Sequence, residues 1–149
     1  MKQKQKQTVA ELHTARLLKL AYILAAQVDG DGHRGTMFNM AVWGYHDGRH
    51  RPQVKDNFCG TAACALGHAG MDKQFRADGL KLSFRKSGDV YEGEVRFEGL
   101  GLEGVEAGAE FFGLTQDESR NLFGNSGSSK ATVIEMLCRY AQHREEVSL

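Results

Sequence analysis

Three cysteines, six histidines and one glycine- and serine-rich loop are the parts of this chain whose residue types could do chemistry. Cys59 opens the string Cys59-Gly60-Thr61-Ala62-Ala63-Cys64, directly before a run of small residues predicted to be helical from Ala62 to Ala69. A thiol at a helix start feels the unpaired amides and the helix dipole, which lower its pKa and make a thiolate nucleophile. The string is similar to a papain-like nucleophile followed by its helix, with His46, His50, His68 or His143 as base and Asn125 or Asp56 as orienting group. The alternative is that Cys59 and Cys64 are small buried hydrophobes locking a close-packed helix, a common fate of free cysteine. A metal reading draws on the same residues. Cys64 and His68, four apart, share a helical face, as His46 and His50 would in a helix. With Cys59 these make enough soft ligands for a closed zinc site, but the spacings match no strong zinc pattern, and no cofactor is expected.

The loop Gly124-Asn125-Ser126-Gly127-Ser128-Ser129-Lys130 runs into a predicted helix, where amides, hydroxyls and a lysine can cradle phosphate. It is not a Walker loop: Ser129 stands where glycine should precede the lysine, and Ala131 where a magnesium-binding hydroxyl should follow. The plainer reading makes Ser128 or Ser129 an N-cap. Trp43, the only tryptophan, neighbours Tyr45, His46, Arg49 and His50, a set able to stack a planar ligand. A lone tryptophan more often packs in the core with its indole N–H satisfied. Two further patterns fail. Asp29-Gly30-Asp31-Gly32 begins like a calcium loop, but His33 and Met40 fill ligand positions. Ala109, Gly113 and Leu122 fit a helix-turn-helix, but Ser119 stands at an apolar position and Asp117 and Glu118 would face phosphates.

The elements that must position these groups are readable in part. Thr8 with Glu11 forms a capping box, and apolar residues recur at helical spacing from there, predicting a helix over 9–28. Residues 33–58 read as loop around a short Phe38–Trp43 element. Alternating apolar residues on both sides of Ser87-Gly88-Asp89 predict an antiparallel β-hairpin, Leu80 to Phe97. Three helices follow: 103–112 stopped by Gly113, a short one opened by a second box at Thr115 and Glu118, and 130–146. The expected fold is α+β, a helix-rich single domain over 8–149 with one small antiparallel β-hairpin, after a flexible basic tail at 1–7.

Composition sets the outer bounds. Of 149 residues, 26% are charged and 41% hydrophobic, which argues against a disordered chain and against a membrane span. An odd number of cysteines does not suggest a disulfide framework. The apolar run 17–26 contains Lys19 and falls short of the ~20 residues that cross a bilayer, so a cytoplasmic protein is expected. Formal charge is zero overall but segregated: net +7 over residues 1–86, −8 over 87–118 and +1 over 119–149. The blocks either neutralise each other within the domain or give a dipolar surface, which makes a homo-oligomer plausible. Nucleic acid is disfavoured as a partner, because no dense basic footprint is present.

Phe38-Asn39-Met40-Ala41-Val42-Trp43 and Cys59-Gly60-Thr61-Ala62-Ala63-Cys64-Ala65-Leu66-Gly67-His68-Ala69, with Phe111-Phe112-Gly113-Leu114-Thr115 and Leu122-Phe123 after them, carry a resemblance over most of residues 12–140. Together they resemble a family of small uncharacterised phage, prophage and bacterial proteins. Its shared pattern is a Phe-Asp/Asn-Met-x-x-Trp segment and a Cys-Gly-Thr-x-x-Cys-x-x-Gly core. The resemblance implies a phage or prophage setting and no chemistry; many relatives carry Trp where this chain has His68. The expected function is that of a non-enzymatic accessory protein that binds a host component in the host cytoplasm, a role suited to countering host defence. The component is either a protein surface or a small phosphorylated, nucleotide-like ligand. In the ligand version Asn125, Ser126, Ser128, Ser129 and Lys130 hold phosphate while Trp43 and Arg49 stack a base. The alternatives are a cysteine-dependent hydrolase with Cys59 as nucleophile, and a zinc-stabilised interaction module built on Cys59, Cys64 and His68.

Overall fold

The hairpin is the spine of the molecule. In a computed structural model describing residues 7–29, 37–38, 44–46, 52, 61–125 and 127–147, strand β5 (Leu80–Ser87) pairs in antiparallel register with β6 (Val90–Phe97). Leu82 lies opposite Val95 and Arg85 opposite Glu92. Gly88, with φ 63°, turns the chain in the two-residue connection, as tight hairpins require. Short strands extend the pair into a mixed sheet: β1 (Val28–Asp29), β2 (Met37–Phe38), β3 (Tyr45–His46), β4 (Thr61–Ala63) and β7 (Leu102–Glu103). The order is β1-β2-β4-β3-β6-β5, with β7 also on β6 and the β1-β2 and β2-β4 pairs parallel. Where β3 meets β6 the backbones nearly touch, and a Cβ on Gly93 would lie 2.6 Å from the Gly44 Cα. Glycine is required at Gly93, and a Cβ on Gly44 would be tight, 3.1 Å from the Gly93 Cα.

Leu80, Leu82, Phe84 and Val95 point to the covered face, while Lys81, Ser83, Arg85 and Glu92, Glu94, Arg96 alternate onto the other. That period of two is the hydrophobic-in, polar-out pattern of a sheet covered on one side. Six helices are present among the described residues: α1 (Val9–Ala25), α2 (Ala65–Met71), α3 (Lys73–Ala77), α4 (Gly104–Phe112), α5 (Gln116–Phe123) and α6 (Lys130–Val147). Helix α2 packs against β5 and β6 and against α1, which in turn lies along α6. The molecule is a helix-rich α+β domain, as its patterning predicts. None of its described helices is long and apolar enough to cross a membrane.

Phe75, Phe97, Phe111 and Phe112 fill the space between hairpin and helices edge to face, with ring centres 5.0–5.8 Å apart. Arg16 of α1 reaches into this cluster. Its guanidinium lies 3.8 Å over the Phe111 ring and donates 2.9 Å to the Phe111 carbonyl, in the last turn of α4. Burial of the Ser119 side chain, at a position where a helix-turn-helix wants an apolar residue, is satisfied by a 2.6 Å bond from its hydroxyl to the Val105 carbonyl.

Two boundaries differ from those the sequence predicts. The predicted helix over 62–69 begins only at Ala65, because Thr61–Ala63 is drawn into the sheet between β2 and β3. Cys64 is its N-cap, the sulfur accepting from the Gly67 amide at 3.5 Å. Helix α1 ends at Ala25, not 28, because Val28 and Asp29 pair with Met37 and Phe38. Both capping boxes form, with Thr8 and Thr115 accepting from Glu11 and Glu118.

Candidate functional site

Three chain segments meet around His13. Helix α1 carries His13 one turn ahead of buried Leu17. Helix α4 ends at Gly113, which adopts φ 66°, a left-handed conformation that suits glycine. The turn presses against the imidazole so closely that a Cβ on Gly113 would lie 2.1 Å from His13 Nδ1. Leu114 and Thr115 lead from there into α5, and the last turns of α6 bring His143 and Arg144. These residues line an open cleft of about 700 Å³.

One wall of the cleft is apolar, formed by Val9, Ala10 and Leu114. The polar groups are His13, Glu118, His143 and Arg144. Glu118 Oε1 accepts the Thr115 amide at 2.9 Å, completing the α5 cap, and stands 3.5 Å from Arg144 Nη2. The carboxylate thus both caps its own helix and pairs with the guanidinium. Val9 and Ala10 are the first two residues of α1, whose amides have no carbonyl partner within the helix. They add the positive end of a helix dipole to the cleft. Burial pushes the His13 imidazole below its ordinary value, and Arg16 and Arg144 push the same way against an upward pull from Glu110. Burial and the two guanidinium groups thus bias His13 toward its neutral form.

Of the residues singled out in the sequence, Trp43, Arg49, His50, Asp56, Cys59 and Ser126 lie outside the described residues. In the 124–130 loop, the Asn125 side chain accepts from the Gly127 amide at 3.1 Å, and its carbonyl accepts from the Ser128 amide at 3.2 Å. Ser129 Oγ accepts from the Thr132 amide at 3.2 Å, the bond of an N-cap, and the Lys130 ammonium donates to the Gln27 carbonyl just past α1. These groups already serve the loop and the start of α6.

The helix start expected to activate Cys59 falls at Cys64 instead, since Thr61–Ala63 is strand. Burial pushes the Cys64 thiol up to about 11, away from thiolate chemistry despite the Gly67 amide. His68, also buried, donates its amide to the Cys64 carbonyl. Among the described residues, no group of three or more His, Cys, Asp or Glu is arranged to hold a metal ion. His46 lies on β3, so the expected pairing of His46 and His50 on one helical face does not arise from a helix at 46. Of the candidate bases among the described residues only His143 lines the cleft, beside His13, which no motif in the sequence marks. Its one signal in sequence is its position beside the buried stripe of α1, a polar residue where the apolar face begins.

Comparisons with family models, with curated proteins and with solved structures give no match to this chain.

Proposed function

We propose that this chain is a non-enzymatic binding protein of a phage or prophage, and that it captures a small phosphorylated, nucleotide-like host ligand in the cleft between α1, α5 and α6. The observation that carries the reading is the meeting of Arg144, His13 and His143 with the apolar side chains of Val9, Ala10 and Leu114 around one cleft. A phosphate would compete with Glu118 for Arg144, while a planar base would cover the apolar side chains. The cleft volume of about 700 Å³ falls within the range of about 300–1,000 Å³ usual for small-molecule sites. Among the residues lining it, no Ser or Cys stands beside either histidine, and the Thr115 hydroxyl is engaged as a helix cap, which favours capture over catalysis. The phage setting rests on the family resemblance carried by the Cys59–Gly67 and Phe111–Thr115 motifs, and cytoplasmic action on the short, Lys19-interrupted apolar run over 17–26.

Thermal denaturation against a panel of nucleotides tests this. A true ligand at about 100 times its dissociation constant adds about 2.7 kcal/mol and raises Tm by several degrees. Arg144→Gln should weaken the response at least tenfold. A Tm unmoved by every nucleotide would remove the reading.

A further inference from the structure

We infer that helix α6 is exchangeable between molecules: two copies of this chain trade their last helix, and each cleft is then built by both. The inference holds whichever ligand the cleft takes. Helix α6 lies chiefly along α1, burying Val133, Leu137 and Ala141 in the cluster that holds Leu17, Leu20 and Leu24. Two polar ties accompany that packing. Lys130 donates to the Gln27 carbonyl at the start of α6, and Arg144 pairs with Glu118 of α5 at 3.5 Å near its end. These partners all lie outside α6 and the loop that leads into it. Each of the contacts therefore re-forms unchanged when α6 comes from a second copy.

What sets α6 apart is its tether. The other joints between successive helices are short or buried: α2 and α3 share Asp72, and α4 passes to α5 through Gly113, buried Leu114 and Thr115. Residues 124–129 instead comprise two glycines, three serines and an asparagine. Gly124, Asn125, Gly127 and Ser129 are exposed. Among the described residues, the hydrogen bonds of this stretch run within it or to Arg120 and Thr132 of the helices it joins. Swinging α6 out thus breaks no bond between this loop and the hairpin or α1 among those residues. Six residues reach about 20 Å when extended, so the bodies of an exchanged dimer meet at their loops around a two-fold axis. Val9, His13 and Glu118 of one copy then face His143 and Arg144 of the other across each cleft. A short flexible tether gives α6 an effective concentration on the order of 1 mM at its own α1, so exchange depends on how concentrated the chain is when it folds.

Two tests bear on the exchange. The full chain is refolded from urea at about 1 μM and at about 1 mM, well below and at that effective concentration, and sized by chromatography with light scattering. Monomer is expected from the first and dimer from the second; monomer from both would overturn the inference. The second test separates exchange from a docking of outer surfaces. Glu118→Arg and Arg144→Glu each set like charges against one another inside a closed monomer, and inside any dimer of identical chains. A dimer with one chain of each kind restores an opposite pair in both clefts, but only where α6 has been traded. Refolded together at about 1 mM, the two variants should give mixed dimers several-fold in excess of random assortment, read by native mass spectrometry. Dimers that assort at random, or a mixture of monomers, would show that α6 stays on its own chain.

Discussion

His13 and Gly113 show how much can depend on one missing methyl group. Gly113→Ala would force a left-handed alanine and drive its Cβ into the imidazole. We expect a loss of about 1–3 kcal/mol in urea denaturation, the ordinary cost of such strain. The double variant with His13→Ala should recover the steric share but not the backbone share, so the cycle separates the two. Gly113 as a helix stop is readable from the Phe-Phe-Gly-Leu-Thr string alone, because C-terminal glycines act locally. Its contact with His13 is not, since nothing local ties residue 13 to residue 113. The same holds for Ser119. In sequence it breaks an apolar pattern, and only the Val105 carbonyl explains why a buried hydroxyl is stable there.

Helix starts marked by a Thr-x-x-Glu capping box are readable in this chain; the start of α2, displaced by sheet pairing, and the Asp72-capped α3 are not. The Thr8–Glu11 and Thr115–Glu118 boxes mark their helices correctly because every partner lies within one turn. The start of α2 is displaced because Thr61–Ala63 finds partners in β2 and β3, which are remote in sequence and short. Small residues without β-branching give little strand signal there, so pairing overrides propensity. Arg76 shows a further device at element level. It leaves α3 to donate 2.9 Å to the Gly70 carbonyl and 2.8 Å to the Leu82 carbonyl, joining the end of α2 to strand β5. Arg76→Ala should destabilise the domain by about 2–3 kcal/mol, since both carbonyls lose a charged donor. It should also raise light scattering on heating, because edge strands stripped of a guard pair with other chains. An unchanged midpoint and unchanged scattering would show that Arg76 guards nothing.

Across the whole molecule, the segregated charges of the sequence are met mostly close to home. Lys81 pairs with Glu98, and Arg85 stands opposite Glu92, so the basic and acidic blocks adjoin along the hairpin. Arg96, the one basic residue of the acidic block, is held between Glu94 and Glu103. The Arg96 contacts hold the Glu103 carboxyl below the usual range, so it stays ionised well into acid. His13 sets a different dependence. The unfolded chain binds its proton near the ordinary value of 6.5, while the folded chain resists. Below that pH the unfolded state holds more protons, so stability falls on acidification until the folded ring titrates too; above it His13 contributes no slope. Urea midpoints should therefore decline as pH falls below about 6.5 in the wild type and decline less in His13→Gln. Equal slopes in the two proteins would show that the folded imidazole titrates freely.

The pairing of α1 with α6 has a consequence for how the chain comes off the ribosome. Leu17, Leu20 and Leu24 belong to the same buried cluster as Val133, Leu137 and Ala141, and Lys130 reaches the Gln27 carbonyl across 103 positions. Helix α1 must wait for α6, made about a hundred residues later, before that part of its oily side is covered. Such distant closure is slow relative to local helix formation. The nascent polypeptide thus carries a sticky segment while the residues between the two helices are made, a natural client for a holding chaperone.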